Sequence, residues 1–398
     1  MTRILIWSPN YAPEPTGIPP LVTDAAEWLA GRGHDVSVVT AMPNYPERRI
    51  ARGYRGLART RERRDGVDVH RSWLRVRPRE TFLDKTLYEL TFATLSLPHV
   101  LRRLGRCDVL VCVVPSLAAA AYAGAARRML GCPRLVVWVQ DLVLLAAAVV
   151  DGSGASARGA MSIARGLERT AVCAADSLVA CSPGFRDYLL GLGVDEERLR
   201  IVHNWVDASR IVPLRQRVEE GRSRFVYAGN LGYTQGFETL LAAAGELDGG
   251  AEVEIVGEGN AAAHVRSLAA SAGNVRVRPP VPRNEFPALL GSADVLLVLQ
   301  RRAAGGANFP SKIASYLASG RPIIASVSPD TPAAETLRAS GAAVLVPPED
   351  PSSLAAAMRR LQREAAVRGE LGRHGREFAL RTFDRDAALE RLEAALIG

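Results

Sequence analysis

Short apolar runs rich in β-branched residues alternate along the chain with longer stretches in which apolar positions recur every three to four residues. The runs predict strands at Arg3–Trp7, Val36–Thr40, Val67–Arg71, Val109–Val114, Leu135–Val139 and Ser177–Ala180. A second series predicts strands at Arg224–Gly229, Glu252–Val256, Val275–Arg278, Val295–Leu299, Pro322–Ser326 and Ala343–Val346. Helical periodicity falls between most of them, as at Leu21–Gly31, Phe237–Glu246, Ala262–Ala272 and Glu285–Gly291. Repeated strand–helix units imply parallel sheets with helices on both faces, and two series imply two Rossmann-like α/β domains. The expected division is 1–205, a linker at 206–222 whose polar run Arg215, Gln216, Arg217, Glu219 and Glu220 follows Pro213, and 223–380. A last helix at about 386–396 is expected to pack back on the first domain.

Length and composition fit this picture: 398 residues with 48% hydrophobic content can bury two large cores. The five cysteines, Cys107, Cys112, Cys132, Cys173 and Cys181, are odd in number and lack paired spacing. Neither a disulfide framework nor a zinc site is expected, and a reduced cytosol is the simplest compartment. The run from Met1 to Trp7 is too short for the apolar region of a signal peptide. Val109–Ala126 is uncharged over 18 residues, but Pro115 and Ser116 divide it into a β-branched half and an alanine-rich half. That is the pattern of a buried strand followed by a helix, not of a membrane span.

The net charge of +8 is concentrated in one place. Residues 46–106 hold 16 cations against 7 anions, an excess of +9, with Tyr54, Leu57, Trp73, Leu90, Leu95 and other apolar residues interleaved. Such a surface suits an anionic membrane face, or a substrate with a diphosphate and a lipid tail; a plain solvated face of an arginine-rich protein is the alternative. Nucleic acid is not expected, because no recognition-module signature accompanies the patch.

Of the 50 cationic side chains 48 are arginine, so Lys312 stands out in Pro310-Ser311-Lys312. A compact ammonium retained where guanidinium is the rule suggests a phosphate seat, with Pro310 starting a helix whose free amides flank Ser311 and Lys312 and Gly320 stopping it. An ordinary surface lysine, like Lys85, is the bland reading. After the second series' first strand come Gly229, Asn230, Leu231, Gly232, Tyr233, Thr234, Gln235 and Gly236, a glycine-punctuated turn that can cradle an anion. Gly257-Glu258-Gly259 punctuates the next turn. In the first domain Gly17 lies in the loop Pro9–Pro20, flanked by Pro13, Pro15, Pro19 and Pro20, and allows backbone to approach a ligand. No Gly-x-Gly-x-x-Gly follows the first strand, which argues against a dinucleotide oxidoreductase.

Gly33-His34-Asp35-Val36, Met42-Pro43-Asn44-Tyr45-Pro46, Trp138-Val139-Gln140-Asp141-Leu142, His203-Asn204-Trp205-Val206-Asp207, Gly229-Asn230-Leu231-Gly232, Gly257-Glu258-Gly259 and Pro310-Ser311-Lys312 occur in the order seen in family 4 glycosyltransferases. The set spans nearly the whole chain and resembles the colanic-acid and capsular-polysaccharide branch. The resemblance implies a GT-B fold, two Rossmann-like domains facing across a cleft. It implies a nucleoside-diphosphate-sugar, UDP- or GDP-linked, as co-substrate held mainly by the C-terminal domain, with no other cofactor and no metal. It also implies an acceptor on the N-terminal domain and retention at the anomeric carbon.

The chain departs from the broader family in places. The Arg and Lys usual after the first strand of the second domain fall on Asn230 and Gln235, and two glutamates with seven residues between them, ahead of and within the motif helix, on Ala307 and Ser315. Within the similar branch, amide residues in the glycine loop are the familiar pattern, so Lys312 is left to carry the diphosphate charge. Ser311, the amides of Gly229–Gly232 and Arg301 or Arg302 are the expected helpers at the leaving phosphate. Glu335 is the candidate for the ribose or the sugar, or else a carboxylate stabilised by a helix start. Asp141 is the polar candidate near the acceptor, although the aromatic-Pro-acid run expected beside it is Val143-Leu144-Leu145 here. The expectation is a cytoplasmic enzyme, peripheral on the inner membrane face, glycosylating a lipid-linked or cell-envelope acceptor. A transferase acting on a soluble metabolite and a non-catalytic GT-B binding protein are the alternatives.

Overall fold

All twelve apolar runs form strands, each within a residue of its expected ends, in a computed structural model that describes residues 1–78, 82–130, 134–142, 165–214, 223–247, 249–304 and 310–398. The chain divides into two units, Met1–His203 with Asp386–Gly398, and Asn204–Arg385.

The first unit is built on one sheet in the order β3-β4-β2-β1-β5-β6-β7-β8. The strands are β1 (Arg3–Trp7), β2 (Asp35–Ala41), β3 (Arg59–Arg64), β4 (Val67–Ser72), β5 (Val109–Val114), β6 (Arg134–Val139), β7 (Ser177–Ala180) and β8 (Leu199–Ile201). All pairings are parallel except β3 with β4. Strands buried on both faces read as continuous apolar runs, which is why β5 is Val-Leu-Val-Cys-Val-Val with every position buried. Leu5, Trp7, Val39, Leu110 and Cys112 pack with Phe92 and Val100 of α2 (Phe82–Leu104) and Ala120 of α3 (Leu117–Leu130). The alternate positions Ile4, Ile6, Val36 and Val38 are just as buried, on the face where α1 (Ile18–Gly31) meets β2 and β4. Pro115 and Ser116 separate β5 from α3, so the uncharged 109–126 stretch is a strand and a helix. No helix among the described residues is long and apolar enough to cross a membrane. A short helix, α4 (Arg186–Gly191), follows β7.

The second unit's sheet is wholly parallel, in the order β11-β10-β9-β12-β13-β14, from β9 (Ser223–Ala228), β10 (Ala251–Val256), β11 (Val275–Arg278), β12 (Val295–Leu299), β13 (Ile323–Ser326) and β14 (Ala343–Val346). Phe225, Tyr227, Val253 and Leu297 pack on one face with α5 (Phe237–Gly245), α6 (Ala262–Ala269) and Leu354 and Met358, which lie on the Pro351–Arg363 helix. Val226, Ala228, Leu296 and Ile323 pack on the other with Leu289 and Leu290 of α7 (Phe286–Gly291), Ile313 and Tyr316 of α8 (Lys312–Ala318), Leu337 of α9 (Pro332–Ser340) and Ala379. Two further helices, α10 (Pro351–Arg363) and α11 (Ala365–Thr382), complete this unit.

Residues 206–214, expected as linker, belong to the second unit instead. Val206 and Ile211 are buried in its core, and the Val206 amide donates to the Phe383 carbonyl at 3.0 Å. Residues 215–222 lie outside the described residues. The unit also runs past 380, to Arg385. The last helix, α12 (Arg385–Ile397), counts with the first unit: Ala388, Leu389 and Leu392 are buried, and Glu393 Oε1 lies 2.7 Å from His34 Nε2.

In both sheets the chain lays strands outward from the centre, returns, and continues the other way. The strand order therefore reverses between β1 and β5 in one unit and between β9 and β12 in the other. Crevices outside the carboxyl ends of strands at such reversals are where open α/β sheets take ligands.

Candidate functional site

In the second unit, the loops leaving β9 and β12 bring Gly229 and Lys312 together. The Lys312 ammonium sits 3.6 Å from the centroid of the Tyr227 ring, and a Cβ on Gly229 would come within 3.0 Å of it. Gly229 has a φ of 147°, a conformation that L side chains rarely adopt, so glycine is required there both for its backbone and for room. Tyr227 is fixed from two sides: its hydroxyl donates to the Asn230 carbonyl at 2.7 Å, and Phe237 meets its ring edge-on at 4.9 Å. One turn beyond Lys312, the Tyr316 hydroxyl accepts from the Ala228 amide at 2.7 Å and donates to the Ala228 carbonyl at 3.0 Å, which latches α8 to the end of β9.

Burial pushes the Lys312 ammonium down to about 7, since no carboxylate among the described residues compensates its lost hydration. The Tyr227 face favours the charged form, a contribution of about 0.5–2 kcal/mol. The result is an ammonium held at a strand-order reversal with no carboxylate beside it among the described residues.

The glycine loop differs from expectation. Of the four amides expected to cradle an anion, three are used inside the loop system: Gly229 donates to the Val256 carbonyl at 2.9 Å, Leu231 to the Glu258 carbonyl at 2.9 Å, and Gly232 to Gln235 Oε1 at 2.8 Å. The loop hugs the next turn so closely that a Cβ on Gly257 would fall 1.9 Å from the Gly229 carbonyl oxygen. Only the Asn230 amide lacks a partner among the described residues, and its side chain is exposed. Gln235 thus braces the loop. The motif helix also begins later than expected: α8 starts at Lys312, and Ser311 is its exposed cap residue, without a capping hydrogen bond. Gly320, with a φ of 68°, follows its end.

Arg301 does not reach toward Lys312; it donates to the Tyr233 carbonyl at 2.7 Å and to Glu238 at 2.7 Å. Arg302 turns to Glu349, 3.9 Å away. Glu335 is exposed in the first turn of α9, after β13, and makes no contact with Lys312 among the described residues. Ser315 Oγ donates to the Lys312 carbonyl at 2.9 Å, while Ala307 lies outside the described residues, as do Val143-Leu144-Leu145.

Gly17 and Asp141 belong to the first unit, where Tyr45 links them. A Cβ on Gly17 would be 3.7 Å from the Tyr45 ring, and burial raises the Tyr45 phenol, helped by the charges of Glu14 and, less, of Asp141. Gly17 is the residue before α1, with a φ of 79°. Burial pushes Asp141 up to about 6.

Two carboxylates at this edge escaped sequence reasoning. Glu14 is buried, and its Oε1 accepts from the Asn44 amide at 2.8 Å and the Tyr45 amide at 2.9 Å, which ties the loop after β1 to the loop after β2. Its carboxyl is raised because desolvation outweighs those bonds. Glu89, on the middle of α2, is pushed up to about 7 by burial beside Ser116 and the Ala118 amide. A charged residue among Leu87, Tyr88 and Leu90, in an otherwise amphipathic helix, was the available signal.

Two family models match successive parts of the chain: the Glycosyl transferase 4-like domain over residues 16–205 and Glycosyl transferases group 1 over residues 222–364. The Escherichia coli K12 protein WcaI, named for glycosyl transfer in colanic acid biosynthesis, is 29% identical over 97% of this chain and 98% of its own. Among solved structures, sucrose-phosphate synthase of Thermosynechococcus elongatus superposes with a TM-score of 0.77 at 17% identity, over 99% of this chain and 98% of that one. Anabaena HepE in complex with UDP-glucose gives 0.70 at 13% identity, over 100% and 99%. With two parallel-sheet α/β units of this topology and both models matching in order along nearly its whole length, the chain belongs to the family 4 glycosyltransferases of GT-B fold.

Proposed function

We propose that the second unit binds a nucleoside-diphosphate-sugar, UDP- or GDP-linked, through Lys312, and that the enzyme transfers the sugar with retention to a lipid-linked or cell-envelope polysaccharide acceptor. The observation that carries this reading is the Lys312 ammonium, fixed between the Tyr227 ring and Gly229 at the reversal of the sheet and lacking an anionic partner among the described residues. A diphosphate supplies that partner.

Breaking the bond between sugar and diphosphate builds negative charge on the leaving phosphate. A preplaced ammonium lowers that barrier without a metal, and such donors are worth about a hundredfold or more in rate. Asn230, exposed and next in sequence to Gly229, has a backbone amide without a partner among the described residues and would add a neutral donor. Gly232 and Gln235 hold the loop in shape, Ser311 precedes Lys312 at the start of α8, and Glu335, exposed in the first turn of α9 after β13, is the candidate for the sugar end of the donor. In the first unit, Asp141 and Gly17 around Tyr45 offer polar contact to an acceptor hydroxyl. HepE is recorded with UDP-glucose, which supports a nucleotide-sugar donor, and WcaI is named for colanic acid biosynthesis, which supports a role in polysaccharide biosynthesis.

Calorimetry of the purified protein with UDP, GDP, dTDP, ADP and NAD should show binding of one diphosphate class, and slow hydrolysis of the matching sugar nucleotide, followed by NMR, should release the sugar first as the donor's own anomer. An inverted first product would remove the retaining mechanism. No binding of any nucleotide would remove the donor site.

A further inference from the structure

We propose that Glu89, with Ser116 and Asp141, takes the hydroxyls of an uncharged sugar at the reacting end of the acceptor, and that this part of the first unit refuses a phosphate. The inference deepens the acceptor half of the function proposed above and rests on it.

The course of α2 puts Glu89 past the edge of the sheet. Arg103, near the C-terminal end of the helix, binds Asp68 near the start of β4; the Leu95 carbonyl accepts from Ser72 Oγ at 3.3 Å at the end of β4; and Thr91 Oγ1 accepts from the Arg75 amide at 3.0 Å beyond it. The helix therefore runs against the strands, and its residues before 91 stand outside their carboxyl ends. Ser96 marks the inward face, since its hydroxyl accepts from Trp7 Nε1 at 2.9 Å at the end of β1. Glu89 is two turns, about 10 Å, further along that face. It meets Ser116 and the Ala118 amide where β5 passes into α3, and so lies at the reversal between β1 and β5.

Asp141 leaves the sheet next to Ser116. β5 and β6 pair Val114 with Val139, the Gln140 amide donates to the Val114 carbonyl at 3.2 Å, and Ser116 and Asp141 each follow their strand by two residues. Ser116 is fully buried, and neither its Oγ nor Glu89 Oε2 completes a hydrogen bond among the described residues. Glu89 and Asp141 both keep some exposure, so they border the crevice outside the strands. Neither carboxyl has a cation among the described residues to offset its burial: Arg48 acts on Tyr45 and Tyr88 of the same edge, and not on Glu89 or Asp141.

The corresponding reversal in the second unit carries the Lys312 ammonium, so the two units offer opposite charge at the same place in their topology. A carboxylate accepts hydrogen bonds and gives none, a sugar presents adjacent hydroxyls as donors, and Ser116 can give or take one more. Enclosed oxygens without partners cost free energy that such hydroxyls recover. A phosphate brings acceptors and negative charge, which carboxylates without a neighbouring cation repel. Where the acceptor is carried on a lipid phosphate, an earlier glycosyl transfer must therefore have placed at least one sugar between that phosphate and the reacting hydroxyl.

The test is saturation-transfer NMR of the full chain with the methyl glycosides of glucose, galactose, mannose and N-acetylglucosamine and with the 6-phosphates of the same sugars, without nucleotide and with the nucleotide that calorimetry selects. The wild type should bind at least one glycoside, and its 6-phosphate at least about tenfold more weakly. Glu89→Gln, which keeps the shape and an oxygen for the Ala118 amide, should weaken glycoside binding about tenfold and narrow the preference over the phosphate, with nucleotide binding unchanged. Ser116→Ala should weaken the glycoside at an unaltered melting temperature, and it decides the matter where Glu89→Gln does not fold. Absence of glycoside binding by the wild type overturns the proposal. So does a 6-phosphate bound as tightly as the neutral sugar, an unchanged preference in Glu89→Gln, or an unchanged glycoside affinity in Ser116→Ala. Absence of nucleotide binding alone removes the donor site and leaves the sugar contact of Glu89 standing.

Discussion

Lys312→Met should raise the melting temperature of the ligand-free protein and abolish its stabilisation by a nucleoside diphosphate. The two effects have opposite signs and one cause. In the unfolded chain the lysine is protonated below its usual value near 10.5; in the fold, burial holds it down to about 7. The stability it contributes is therefore intact above pH 10.5, falls as pH drops toward 7, and is level below that. Methionine keeps the volume and removes the buried charge, a gain of about 1–3 kcal/mol at neutral pH. In a unit of this size that is about 2–4 °C for each kcal/mol.

The same substitution leaves a diphosphate without its counter-charge. Affinity for UDP or GDP in the wild type should fall about tenfold per pH unit above 7, because binding then requires proton uptake, and calorimetry in buffers of different ionisation enthalpy reads that uptake directly. The variant should show neither the binding nor the pH slope. A lower melting temperature for Lys312→Met would refute the desolvation account; undiminished nucleotide binding would place the phosphate elsewhere.

Gly257→Ala should be the most damaging small substitution in the second unit. The new methyl would sit 1.9 Å from the Gly229 carbonyl oxygen and 3.3 Å from a Leu231 methyl, and the oxygen is backbone that cannot swing aside. Either the β9 loop or the β10 loop must move, and both carry the hydrogen bonds that hold Gly229 beside Lys312. Overpacking of this kind costs about 1–3 kcal/mol or more, and nucleotide binding should fall with it. Gly245→Ala is the control: it ends α5 with nothing within 4 Å of the added carbon, so its effect should stay within about 0.5 kcal/mol. Equal melting temperatures for the two variants would refute the close approach of the loops.

The strands of both sheets were legible because a strand covered on both faces has to be apolar throughout. β3 was not, since Arg-Thr-Arg-Glu-Arg-Arg is an edge strand with a partner on one side and solvent on the other, and its charges hide the alternation. β8, three residues long, offers too few positions for a period. Lys312 stood out by composition alone, but Tyr227, the ring beneath it, is 85 residues upstream, and only the adjacency of β9 and β12 brings the two together. The glycine loop shows the limit from the other side. Its spacing announces free amides, yet three are bound within the fold, and what decides this is how closely the β10 turn approaches.

The placement of α12 bears on how the molecule is made. The first unit comprises Met1–His203 and Asp386–Gly398, so the second unit is an insertion within it. During translation the N-terminal sheet emerges with one helix still to come, and the whole second unit can fold before Leu389, Leu392 and Glu393 reach the face that includes His34. The domain begun first is finished last, and a released chain cut at Arg385 would carry a complete second unit attached to an unsealed first one.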